Sequence, residues 1–159
     1  MTSMDETVAR VATLAVEKGL SVAAAESLTS GLIASRLGAG ANAADWFRGS
    51  VVAYQEPVKF EVLGVREGPV VTAECAEGMA RGVARLFAAD VAVAATGVGG
   101  PGPSEGKPAG TVFLAVTVDG QVTVQGLELG GDDPGEILEH AATRALELLL
   151  DTLAGVSAP

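Results

Sequence analysis

Apolar side chains recur along this chain with two periods, and the period changes wherever Gly, Pro or a Ser/Thr cluster intervenes. Over residues 4–18, Val8, Val11, Ala12 and Ala15 fall on one face at helical spacing, and Ser3 with Glu6 makes a capping box. A helix is expected there, ended by Gly19. SVAAAE (21–26) is short, apolar and bounded, the pattern of a buried strand, and a short helix over 30–37 is expected directly after it. GAGANAADW (38–46) reads as loop. SVVAY (50–54) is β-branched and aromatic, hence a strand. EPVKFEVLGV (56–65) has Pro57 where a first turn tolerates it, with Val58, Val62 and Leu63 on one face, and reads as a helix. Thr72 is placed to cap a helix reaching about Ala89, and DVAVAATG (90–97) is another apolar strand. Asp119-Gly120, between GTVFLAVTV and QVTVQGLEL, is a hairpin turn. Pro134 to Leu153 is a long amphipathic helix, and a frayed tail is expected over 155–159.

This order implies an α/β fold: a three-layer α/β/α sandwich with a mixed, mostly parallel sheet and a C-terminal β-hairpin plus helix. No internal repeat, low-complexity segment or linker interrupts it, so one domain over 1–159 is expected. A chain of 159 residues buries about two-thirds of its unfolded surface.

Composition narrows the picture. Hydrophobic residues make up 48% and aromatics 4%, so the core has to be built from Ala, Val and Leu. The formal net charge of −10 repels phosphate backbones and anionic lipid, and neither nucleic acid nor a membrane surface is expected as a partner. The single cysteine, Cys75, allows no internal disulfide and fits a reducing compartment. MTSMDETVAR has acids and no apolar core, unlike a signal peptide, and no apolar run reaches spanning length; a cytoplasmic location is expected.

The densest cluster of special residues is ATGVGGPGPSEGKPAG (95–110). It satisfies G-x-G-x-x-G, but a dinucleotide fingerprint needs a helix right after the glycines, and here Pro101, Pro103 and Pro108 lead into a strand. A P-loop would need Gly at 101 and Ser or Thr at 108, and both are Pro. Two readings remain. One is a surface loop stiffened by prolines. The other is a substrate loop whose glycines bring backbone N–H groups close to a ligand.

AESLTSG (25–31) puts Glu26, Ser27, Thr29 and Ser30 at a strand-to-helix turn. Ser27 is either part of a helix cap or a nucleophile beside free helix N–H groups. In AYQEPVK (53–59), Tyr54 ends a strand and Lys59 follows; Lys59 is either a solvated charge or an inward-turned base for a hydroxyl. His140 and Cys75 have no partner at metal-ligand spacing, and a Ser-His-Asp triad would depend on His140 alone.

AESLTSG, then WFRGSVVAYQEPVKFEVLGV (46–65), then ATGVGGPGPSEGKPAGTVFLAV (95–116), then Gly131-Asp132 before a C-terminal helix resemble the C-terminal domain family of the competence/damage-inducible protein CinA, over roughly residues 5–153. The resemblance implies an amidohydrolase of the nicotinamide mononucleotide (NMN) deamidase type, which converts the NMN carboxamide to nicotinic acid mononucleotide and ammonia, in a stand-alone domain form. It implies Ser27 as nucleophile and Lys59 as its base, with Tyr54 as the third catalytic residue. Substrate contacts are expected from Glu26, Thr29, Ser30, Gly31, Thr96, Gly97, Gly99, Gly100 and Lys107. Neither a metal nor an organic cofactor is expected; a small-molecule amide is the expected partner, and a homo-oligomer the expected assembly. The alternative is a weak or inactive member that binds a nucleotide or amide as a regulatory module.

The chain also departs from the family pattern. Leu28 stands where a cysteine is usual, Ser30 where a glycine is usual, and PSEG (103–106) shortens the loop. Asp133 and Leu138 occupy positions where two arginines would suit a phosphate grip. Arg36, Arg48, Lys107 and Arg144 are the basic residues nearest the motifs, and Lys107, on the loop itself, is the candidate replacement.

Overall fold

The structure is a computed structural model that describes residues 2–159. The N-terminal helix α1 (Met4–Lys18) has its capping box formed in both directions between Ser3 and Glu6, and Gly19 closes it in the left-handed conformation. Strand β1 (Val22–Glu26) follows and is buried along its whole length. Helices α2 (Leu32–Gly38) and α3 (Ala43–Trp46) lead to strand β2 (Phe47–Val52). Helix α4 (Glu56–Glu61) and α5 (Ala73–Phe87) precede strand β3 (Val91–Gly97). Strands β4 (Thr111–Val118) and β5 (Gln121–Glu128) form the hairpin, with positive φ at both Asp119 and Gly120, and α6 (Pro134–Gly155) ends the fold.

The five strands lie in the order β2-β1-β3-β4-β5. β2, β1 and β3 are mutually parallel; β3–β4 and β4–β5 are antiparallel. The sheet is therefore mixed with helices on both faces, as expected, and four of its five strands run in the same direction, β4 alone opposing them. Alternate residues of each strand feed two cores. Val22 and Ala24, Val91, Val93 and Ala95, and Val112, Leu114 and Val116 meet α1, α2 and α6. Ala23, Ala25, Ala92, Ala94 and Ala115 meet α5. The alanine face lets α5 approach closely. At Gly82 of α5 a Cβ would collide with the Leu63 carbonyl oxygen, so no larger residue fits there.

Four segments differ from the sequence expectation. The 38–46 segment contains α3, because Trp46 is buried and its indole N–H donates to the Ala41 carbonyl at 2.9 Å, closing a turn too short to show periodicity. β2 starts at Phe47 rather than 50 and stops at Val52 rather than 54, because its partner β1 offers register only from Val22↔Phe47 to Glu26↔Val52. α4 ends at Glu61, four residues short of 65, and the short helix after β1 begins at Leu32 rather than 30.

This topology decides where a site can lie. The parallel strands β1, β2 and β3 all run to the same sheet edge, ending at Glu26, Val52 and Gly97. The chain passes from β1 to β2 on one side and reaches β3 on the other, a reversal of strand order that opens a crevice beyond the carboxyl ends.

Candidate functional site

Ser27 follows β1 directly, and its N–H donates across the reversal point to the Ala95 carbonyl of β3 at 3.0 Å. The next strand along, β2, leads to Ala53, whose N–H donates to the Glu26 carbonyl at 2.7 Å. Ser27 and Ala53 are thereby fixed on neighbouring strand ends. Lys59 of α4 reaches back to the same place. Its side chain is 1% exposed, and Nζ donates to the Ala53 carbonyl at 2.8 Å and to the Tyr54 carbonyl at 2.9 Å.

Ser27 and Lys59 open on one cleft of about 540 Å³, with Tyr54, Glu56, Val70 and Ser104 also on its lining. Burial pushes the Lys59 ammonium below its ordinary value of 10.5, against the opposing pull of Cys75, Glu56 and Glu105. A neutral amine has two N–H groups and one lone pair. With both N–H groups held by carbonyls, the lone pair is left for the remaining tetrahedral direction. The Ser27 hydroxyl makes no hydrogen bond among the described residues and is free to meet a base or a substrate.

The turn after Ser27 is built around a buried charge. Glu26 is fully buried, and its carboxylate accepts from the N–H groups of Gly31 (3.2 Å), Ile33 (2.9 Å) and Ala34 (2.9 Å) and, more weakly, from the Ser50 hydroxyl (3.4 Å). These are the orphan donors of the first turn of α2, so Glu26 does the work of a cap from the preceding strand. Two expectations are corrected. Glu26 is committed to backbone rather than turned to substrate, and Ser27 is not the cap, since Gly31 is the N-cap residue. Gly31 sits at φ 98, a conformation that excludes most side chains. Ser30 is exposed, with its hydroxyl on the Leu28 carbonyl of its own turn at 3.4 Å. Thr29 is fully buried, and its hydroxyl is the one buried side-chain polar atom without a partner among the described residues. Native proteins leave few such groups, and those they leave call for a functional or solvent partner.

The glycine loop is used differently from either sequence reading. Val70 and Val71 belong to no strand, yet all four of their backbone polar groups are held by side chains. The Thr96 hydroxyl donates to the Val70 carbonyl at 2.8 Å. The Glu105 carboxylate accepts from the Val70 and Val71 N–H groups at 2.9 and 2.8 Å. The Lys107 ammonium donates to the Val71 carbonyl and lies 5.5 Å from the Phe113 ring centroid. Thr96 and Lys107 thus hold the cleft wall at Val70. Asp132 ties the loop from the other side through the Gly102 N–H at 2.7 Å. At Gly97 a Cβ would lie 2.5 Å from the Thr111 carbonyl oxygen, so this glycine serves the β3–β4 approach. Gly99 passes beside Leu28, 3.6 Å from its Cβ to a Cβ built on the glycine. Neither Gly99 nor Gly100 uses its N–H among the described residues.

Sequence reasoning missed Glu105 and Asp132. Glu105 inside its Gly/Pro loop, and Asp132 in the Asp132-Asp133 pair before Pro134, carry the signal of solvated loop acids. The phosphate-gripping candidates are spoken for: Arg36 pairs with Asp5, Arg48 donates to the Phe87 carbonyl and Arg144 pairs with Glu147. Asp133 caps α6 through the Gly135 and Glu136 N–H groups. His140 is exposed on α6. Cys75 is 2% exposed beneath the site, and burial pushes its thiol up to about 11. Among the described residues no group of three or more His, Cys, Asp or Glu could hold a metal ion, and no helix is long and apolar enough to cross a membrane.

Comparison with known proteins bears on the same residues. A family model described as CinA C-terminal domain matches residues 4–153. A CinA-like protein of Dictyoglomus turgidum is 38% identical over 154 residues, covering 93% of this chain and 36% of that protein. A CinA-like protein of Frankia casuarinae is 40% identical over 149 residues, 90% of this chain and 34% of that protein. The chain spans about a third of the length of these curated relatives. Among solved structures, a competence-damaged protein (CinA) superfamily protein from Klebsiella pneumoniae superposes with a TM-score of 0.92 at 32% identity, covering 98% of this chain and 100% of that one. The competence/damage inducible protein CihA from Agrobacterium tumefaciens gives 0.89 at 33%, covering 97% and 99%.

Proposed function

Because the chain belongs to the CinA C-terminal domain family, we propose that it hydrolyses a carboxamide through a Ser27–Lys59 pair, with the nicotinamide of NMN as the substrate. The observation that carries this reading is the buried Lys59, which has both N–H groups on carbonyls and opens on the same cleft as an unpartnered serine hydroxyl.

Neutral Lys59 accepts the Ser27 proton as Oγ attacks the amide carbon. The developing oxyanion is met by N–H groups that have no other partner among the described residues, at Leu28 one residue after the nucleophile and at Gly99, which passes beside Leu28. Lys59 returns its proton to the leaving nitrogen, and ammonia departs. Water then attacks the acyl-enzyme, giving the carboxylic acid and restoring Ser27. No metal or organic cofactor enters this sequence. Lys59 is the sole cation on the cleft lining, so it serves as both base and acid, and exposed Tyr54 stands at the rim.

The test is ammonia release from NMN by the purified protein, lost in both Ser27→Ala and Lys59→Met. A Ser27→Ala protein with near-native turnover would remove Ser27 as nucleophile.

One observation favours a second reading, a binding or regulatory module with slow turnover. Apart from Lys59, no Lys or Arg lines the cleft, and Asp133 is spent on a helix cap, so a phosphate finds no cation there. Binding of NMN without ammonia release would select this reading.

A further inference from the structure

We propose that Tyr54 and Glu56 form a cation-recognising rim, which selects an amide carried on a positively charged, N-substituted pyridinium ring over the same amide on a neutral ring. The proposal rests on the amidase reading for the identity of the amide.

Three observations carry it. The chain has six aromatic residues. Trp46 is buried, and Phe47, Phe60, Phe87 and Phe113 pack against the two cores. Tyr54 alone is left in solvent, 64% exposed, on the lining of the cleft that holds Ser27. Its backbone is fixed there by the bond from Lys59 to its carbonyl. An exposed tyrosine in so aromatic-poor a chain offers a π face to a ligand ring, and a cationic ring gains most from it.

Glu56 lines the same cleft, exposed, and makes no ion pair among the described residues. When Lys59 is neutral, as proton abstraction requires, Glu56 is the one formal charge on that lining. The competent cleft is then negative, inside a molecule of net charge −10. A cation is drawn to it and an anionic group is not. A pyridinium amide presents positive charge next to the reacting carbon, so the charge that attracts the ligand also places the amide near Ser27.

The test compares NMN with its reduced, dihydropyridine form. The two share amide, ribose and phosphate; reduction removes the ring's positive charge together with its aromaticity, and Glu56→Gln reads the charge apart from the stacking. Binding is measured by calorimetry at low salt on a Ser27→Ala protein, so the result does not depend on turnover. The oxidised form is expected to bind about tenfold tighter, equivalent to about 1.4 kcal/mol. Adding Glu56→Gln or Tyr54→Leu should cut that ratio to threefold or less, mainly by weakening the cation. Equal affinity for the two forms in the Ser27→Ala protein overturns the proposal, as does an equal loss on both ligands in the added variants. A preserved ratio without ammonia release from the unsubstituted protein would sink the amidase reading and leave this one standing.

Discussion

The turn after β1 and the loop after β3 stand side by side at one sheet edge, both rich in small residues, and they are held in opposite ways. In the turn, a single buried carboxylate, Glu26, grips three N–H groups from inside. In the loop, the gripping groups come from residues on or beside it, and what they hold is mostly a neighbour, the Val70-Val71 segment. A buried charge surrounded by donors is costly to disturb, so the turn presents Ser27 with little freedom. Glu105 is exposed, and its bonds are cheaper to break and re-form. The Ser27 side is thus held by a buried carboxylate and the opposite wall in part by the exposed Glu105, so under the proposed function the second wall is the one expected to yield to a ligand.

The sharpest break of this comparison is chemical. Ser27→Ala and Lys59→Met should each lower deamidation about a thousandfold or more, with far-UV circular dichroism unchanged. Next comes the rigid side. Glu26→Ala leaves the buried Ile33 N–H and the half-buried Gly31 and Ala34 N–H groups without an acceptor and should cost about 3 kcal/mol, a fall in Tm of about 6–12 °C for a chain of this size. Glu26→Gln keeps the shape but sets an amide NH₂ against N–H donors, and a melt indistinguishable from the parent would show that the cap is not what holds the turn.

The adjustable wall should respond more weakly. Thr96→Val strips the buried Val70 carbonyl of its donor and should cost about 1–2 kcal/mol. Glu105→Gln, at an exposed carboxylate, should cost about 1 kcal/mol or less and show itself chiefly as a raised KM, since Val70 lines the cleft. If Glu105→Gln proves as destabilising as Glu26→Ala, the two sides are held alike and the contrast is wrong.

The pH profile reads the same pair of sides. Lys59 titrates below 10.5, and the protonated amine cannot take the Ser27 proton, so activity should fall as pH drops through its value in the folded protein. The unfolded chain binds more protons between that value and 10.5, so burying Lys59 disfavours the fold at neutral pH and the penalty is relieved as pH rises. Glu105 pulls the Lys59 value up from across the cleft, so Glu105→Gln should move the activity limb to lower pH. The smallest expected signal is at Cys75. With its thiol near 11 and almost no exposure, alkylation by iodoacetamide at pH 8 should be slow in the folded protein and complete once it unfolds.

The sequence by itself determined the order of elements apart from α3, the hairpin at Asp119-Gly120 and both caps of α1, because those depend on neighbours a few residues apart. It also singled out Ser27 and Lys59, through residue types in motif order. It could not tell a ligand-facing polar group from one spent on backbone. Glu26, Thr96 and Lys107 were equally good substrate contacts on paper, and each bonds N–H or carbonyl groups that sequence does not place near it. Glu105 and Asp132 were passed over for the converse reason. Which hydrogen bonds a side chain makes is decided by what the sheet edge brings within about 3 Å of it. Here that is set by the reversal of strand order between β1 and β3, a property of the assembled sheet and of no single segment.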